Sequence, residues 1–111
     1  MNNTMIIDGY RAVIQYDPNI EMFRGEFTGL NGGADFYADS VARLREEGRV
    51  SLHVFLEECR EHGIEPTKSY SGKFQVRLPK ELHKNAVDAA TAKGQSLNQF
   101  VATAIEHELL A

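Results

Sequence analysis

Gly72-Lys73-Phe74-Gln75-Val76-Arg77-Leu78-Pro79 decides how this chain is read. Phe74, Val76 and Leu78 alternate with Lys73, Gln75 and Arg77. Alternation with period two predicts a strand with three apolar side chains on one face and three hydrogen-bonding ones on the other. Lys, Gln and Arg on an extended ribbon carry the donors and acceptors needed to read base edges in a major groove. An edge strand also carries Lys simply as its wet face, so the residues that follow must separate the two readings.

Pro79 suits the first turn of a helix. Leu82, Ala86, Ala89 and Ala90 then recur at helical spacing, and Gly94 ends the run. Ser96-Leu97-Asn98-Gln99 is a Ser-x-x-Gln capping box. It predicts a second helix with Leu97, Phe100, Val101, Ala104, Ile105 and Leu109 on one face. A lone strand cannot satisfy its own N–H and C=O groups, and two short helices cannot bury both apolar stripes. A second copy solves both problems. Two strands make an antiparallel ribbon, and four helices enclose a shared core of Phe74, Val76, Leu78, Leu82, Phe100, Val101 and Ile105. Two-fold symmetry then implies an inverted-repeat DNA site.

The remaining chain is too short for a large core of its own. With 111 residues, 42% of them apolar, the protein is one small domain or two very small ones, and oligomerisation is expected on size alone. The net charge of −4 is unevenly spread. Residues 1–70 hold 7 Lys and Arg against 12 Asp and Glu, whereas residues 71–95 hold 5 against 2. Positive charge therefore collects where phosphate contacts are expected. The acidic part suits a basic partner or a solvated surface.

Tyr10–Tyr16 is rich in strand formers, Asp17-Pro18-Asn19 is a turn, and residues 22–28 form a second strand, so a β-hairpin is expected. The Gly29–Gly33 stretch is a tight loop and residues 34–38 a third strand. Asp39 or Ser40 caps the next helix, which runs through Val41, Leu44, Val50, Val54, Phe55 and Leu56 to Gly63. Gly48 inside it is expected to kink or split it. Residues 64–71, with Pro66 and several Ser and Thr, read as a linker.

Catalytic and metal chemistry find no pattern. Asp8, Asp17, Glu26 and Asp35 have no spacing of a known carboxylate cluster. His53, His62, His83 and His107 are scattered, with His83 and His107 on exposed helix faces. Cys59, the single cysteine, excludes an intrachain disulfide and reads as a small buried side chain. Gly29-x-x-Gly32-Gly33 lacks the Lys-Ser/Thr of a phosphate loop. No transmembrane run or signal peptide is visible, so a cytoplasmic location is expected.

Residues 72–111 resemble a ribbon-helix-helix DNA-binding domain of the Arc/MetJ type. The match lies in Lys73–Pro79 and in the Gly94-x-Ser96-Leu97-Asn98 start of the second helix. That resemblance implies that Lys73, Gln75 and Arg77 enter the major groove. It also implies that Ser96, Leu97 and Asn98 offer a phosphate backbone N–H groups, helped by hydroxyl and amide side chains. Lys80, Lys84 and Lys93 are candidates for backbone contacts, or ordinary solvated residues.

The order of the whole chain is similar to the HicB family of bacterial antitoxins. The more specific pieces are Asp35-Phe36 leading into Asp39-Ser40, Glu57-Glu58-Cys59 ending at Gly63, and Tyr70-Ser71-Gly72-Lys73-Phe74 running into Arg77-Leu78-Pro79. The resemblance implies an α+β protein. Residues 1–65 would be a small antiparallel sheet plus helix, partial RNase H-like, that masks a small basic HicA-type toxin cleaving mRNA. Residues 66–71 would be the linker. Residues 72–111 would dimerise and repress the toxin–antitoxin operon, with a tetramer as a further assembly through the first domain. No cofactor, metal or catalytic residue is implied. The alternative is a stand-alone ribbon-helix-helix repressor whose first domain senses a ligand or only oligomerises.

Overall fold

The computed structural model describes residues 3–111. Met1 and Asn2, which begin the expected first domain and the stretch read for a signal peptide, lie outside the described residues. The fold is α+β, an antiparallel sheet followed by three helices, in two units that divide between Tyr70 and Ser71.

In the first unit, β1 (Thr4–Ile7), β2 (Tyr10–Asp17), β3 (Met22–Phe27) and β4 (Asp35–Ala38) form a four-stranded meander in chain order. The expected hairpin is the β2–β3 pair, closed by a turn in which Asp17 Oδ1 accepts a 2.9 Å hydrogen bond from Asn19 N. The β1 strand was not anticipated. It joins β2 through Asp8 and Gly9, at φ 48° and 86°. Two positive φ values are what a two-residue type I′ hairpin requires, and an Asp-Gly pair adopts them readily.

Helix α1 (Val41–His62) covers one face of this sheet. Ser40 caps it, its Oγ accepting from Arg43 N at 3.3 Å, and Gly63 closes it at φ 64°. The expected kink at Gly48 is absent: α1 runs unbroken through it. Gly48 is buried, and a Cβ there would overlap the tip of Ile7 and meet the Phe36 ring at 2.9 Å. The missing side chain serves close approach of helix to sheet rather than bending. Strand alternation supplies the other half of the core. Ile7, Ala12, Phe27 and Phe36 point toward α1, where Leu44 and Leu52 meet them at 0–2% exposure.

The segment read as a linker is corrected over its first part. Asn31 N donates to Pro66 O at 2.9 Å and Lys68 N to Gly29 O at 2.8 Å, while Asn31 Nδ2 donates to Glu65 O at 2.8 Å and Thr67 O at 3.1 Å. The turn at Gly63 sends the chain back along the β3–β4 loop, and the backbone groups of that short return find partners there.

In the second unit, α2 (Lys80–Ala92) and α3 (Leu97–Leu110) are joined by a turn at Gly94, φ 67°. Pro79 occupies the N-cap of α2, with ψ 144°, rather than its first turn. Residues 72–78, expected as a strand, form no ladder in the single chain. A strand is defined by a partner, and the single chain provides none. Ala90 is the only buried residue described in this unit.

Candidate nucleic-acid interface

Every residue from Gly72 to Leu78 is exposed. Lys73, Gln75 and Arg77 are thus accessible, but so are their apolar neighbours: Phe74 is 72%, Val76 61% and Leu78 41% exposed. The alternation written in the residues has no inside yet. Phe74 and Val76 share an open groove with Leu97, Val101 and Ile105 of α3. Four expected core residues (Phe74, Val76, Val101 and Ile105) are therefore brought together. Leu82 and Leu78 stay outside that groove; Leu78 lines a shallow site with Gln75, Arg77 and His83. Phe100 is half-buried, with Lys93 Nζ 5.5 Å from its ring centroid, a cation–π approach.

The start of α3 has the expected capping box in both directions. Ser96 Oγ accepts from Gln99 N at 3.1 Å, and Gln99 Oε1 accepts from Ser96 N at 3.0 Å. This revises the part expected of Ser96, whose backbone N–H is engaged within the chain. The first-turn amides of Leu97 and Asn98 have no carbonyl one turn earlier to bind. No acidic side chain lies in that turn, so the positive end of the helix dipole is uncompensated and suited to an anion. Among the other candidate cations, Lys84 Nζ lies 3.7 Å from Asp88 Oδ2 on the same helix, which partly neutralises it.

The first unit shows a polar cluster that sequence spacing did not reveal. The β3–β4 register sets Glu26 opposite Asp35 and Arg24 opposite Tyr37. Arg24 joins all of them: Nη2 donates to Asp35 Oδ2 at 2.6 Å, Nη1 to Glu26 Oε2 at 3.1 Å and Nε to Tyr37 Oη at 3.2 Å. The bond to Asp35, then those to Tyr37 and Glu26, raise the Arg24 pKa above its ordinary value. Two of the four candidate carboxylates thus meet around a guanidinium. Asp8 instead lies 3.7 Å from Arg49 Nε, and Asp17 holds its turn. Among the described residues no three His, Cys, Asp or Glu side chains are placed to hold a metal ion. Cys59 is buried, and His53, His62, His83 and His107 are exposed. No helix among the described residues is long and apolar enough to cross a membrane.

Against known proteins, a model of the HicB family matches residues 55–105. That span runs from within α1 through the docked return segment, the ribbon residues and α2 into α3. Over it the chain is similar to the HicB family, and the β-sheet lies outside the match. No curated protein and no solved structure matches the chain.

Proposed function

We propose that this chain is an antitoxin with two separable tasks. Two copies of residues 72–111 pair their ribbon segments and bind an inverted-repeat operator through Lys73, Gln75 and Arg77. The first unit binds and masks a small basic mRNA-cleaving toxin of the HicA type. Similarity to the HicB family over residues 55–105 supports the toxin–antitoxin setting.

One observation carries the DNA half. The second unit leaves Phe74, Val76, Leu78, Leu82, Val101 and Ile105 at 37–72% exposure. Burying the part of each that is still exposed is worth roughly half of the 1.5–3 kcal/mol gained by burying such a side chain completely. Over two protomers that is enough to offset an association cost of about 4–15 kcal/mol. A second copy is the occupant that also supplies the strand ladder residues 72–78 lack. Pairing turns the alternation into a true inside and outside, so that Lys73, Gln75 and Arg77 share one outer face. The amides of Leu97 and Asn98 then suit phosphates flanking the bases. The excess of acid over base in residues 1–70 supports the toxin half, since an RNA-cleaving protein must present a basic surface to its substrate.

The test is sedimentation of the purified chain, followed by gel-shift titration of its promoter with and without the co-expressed product of the adjacent gene. A dimer that shifts the promoter and co-purifies with a small basic protein is the expected result. A monomer at micromolar concentration overturns the DNA half.

A further inference from the structure

We propose that the open edge of β4 and the flank of α1 beside it form a trench that takes up an extended, Lys- and Arg-bearing segment of a protein partner as a fifth strand. The identity of that partner as the basic toxin rests on the antitoxin reading; the place where it docks rests on the surface beside β4.

Each sheet edge has one outward carbonyl held by a side chain of α1, and the two edges differ in the charge and shape of the surface beside them. At β1, Arg45 Nη1 donates to Ile6 O at 2.9 Å, and Arg49 lies against Asp8 in the adjoining turn. Arg45 thus carries positive charge from α1 onto this edge, which disfavours a basic segment there. At β4, Phe27 N donates to Ala34 O at 3.3 Å. Antiparallel alternation then directs the backbone groups of Phe36 and Ala38 toward β3 and those of Asp35 and Tyr37 outward. Ser51 Oγ reaches Asp35 O at 3.3 Å. The outward N–H and C=O of Tyr37 meet no partner among the described residues.

The surface beside this edge is concave. Toward the end of β4 it is lined by Tyr37, Ala38, Arg43 and Glu47. Beside the start of β4 lies a second, wider open groove lined by Ser51, Val54, Phe55, Glu58 and Ile64. Val54 is 57% and Ile64 50% exposed, so the wider part offers an apolar footing. Glu47 and Glu58 stand along the helix flank without an ion pair among the described residues, and Arg43 and His62 mark the two ends.

An open strand edge, an apolar footing and two free carboxylates suit strand addition by a basic segment. The backbone would supply the hydrogen bonds and the alternate side chains the selectivity. A second copy fits less well: pairing β4 with itself would bring the Glu47 and Glu58 stripes of two chains toward each other, and like charges set face to face disfavour association.

The test uses the full-length chain and, as probe, the co-expressed product of the adjacent gene, expected to be a small basic protein. Glu47→Lys with Glu58→Lys should raise the Kd for that protein about tenfold or more, since reversed charges now oppose the partner. Tyr37→Pro, which removes an outward N–H while leaving the β3 ladder its bonds, should weaken binding as strongly. Glu21→Lys, a single such charge reversal in the β2–β3 turn, should alter it less than about twofold. Far-UV circular dichroism and the melting temperature of each variant identify loss of fold, and operator binding should persist in all three. Wild-type affinity in folded Glu47→Lys/Glu58→Lys and Tyr37→Pro chains would overturn the trench while leaving the antitoxin reading standing. If the wild-type chain binds no such protein, the reading itself fails and the trench with it. Self-association of the first unit that Tyr37→Pro abolishes would overturn the assignment of the occupant.

Discussion

The two units of this chain differ in how much of their own core they build. The first encloses Ile7, Leu44 and Leu52 at 0–2% exposure between a sheet and one long helix. The second buries only Ala90 and leaves Phe74 and Val76 more than 60% exposed. A four-stranded meander pairs its strands within one chain, and α1 closes its apolar face. The second unit holds one unpaired extended stretch and two short helices, and so has nothing to close against. The lesson is that an exposed apolar set means different things in different places. In the β2–β3 turn, exposed Ile20 needs no explanation. Across residues 74–105, the exposed set combines with missing backbone partners, the combination on which the proposed pairing of two copies rests.

The largest expected effect falls on the unfinished side. Phe100→Ala should cost about 3–5 kcal/mol through lost core volume and abolish the dimer, seen by sedimentation, while the first unit still melts cooperatively. A stable Phe100→Ala dimer would break the contrast between the units. Gly25→Ala probes the finished side. Its new Cβ would overlap the Phe36 ring, and overpacking of this kind costs about 1–3 kcal/mol. The melting temperature should fall with dimerisation unchanged.

Arg77→Ala should weaken specific operator binding by about 1–3 kcal/mol and relax sequence preference. Gel shifts on operator and scrambled DNA measure both, and wild-type binding would refute the groove assignment. Ser96→Ala removes the cap on Gln99 N and should lower stability by about 1 kcal/mol in a denaturant titration. The smallest effect is expected at Lys84, whose charge Asp88 already shares. Lys84→Ala should weaken all DNA sequences alike and reduce the salt slope of binding by about one or less.

Legibility followed the range of the interaction. The capping box at Ser96 was readable because both of its bonds close within three residues. The Asp8-Gly9 hairpin was equally local, and its signal was present: an Asp-Gly pair between apolar residues on both sides. The part played by Gly48 is not local. Its helix propensity is local, but its purpose lies in Ile7 and Phe36, which reach it only across the sheet. Glu26 and Asp35 seemed unrelated at nine positions apart until the β3–β4 register set them opposite each other, with Arg24 between.

The residues alone determined the local elements: the alternation of residues 73–78, the start of α3, the cap of α1 and the division of charge along the chain. All of these depend on neighbours within a turn or two, whose geometry the peptide backbone dictates. Tertiary structure decided which glycine is a contact, which carboxylates are held by an arginine and which surface lies beside each sheet edge. Those outcomes depend on strand register and on where α1 crosses the sheet, and both are set by packing between residues far apart in the chain.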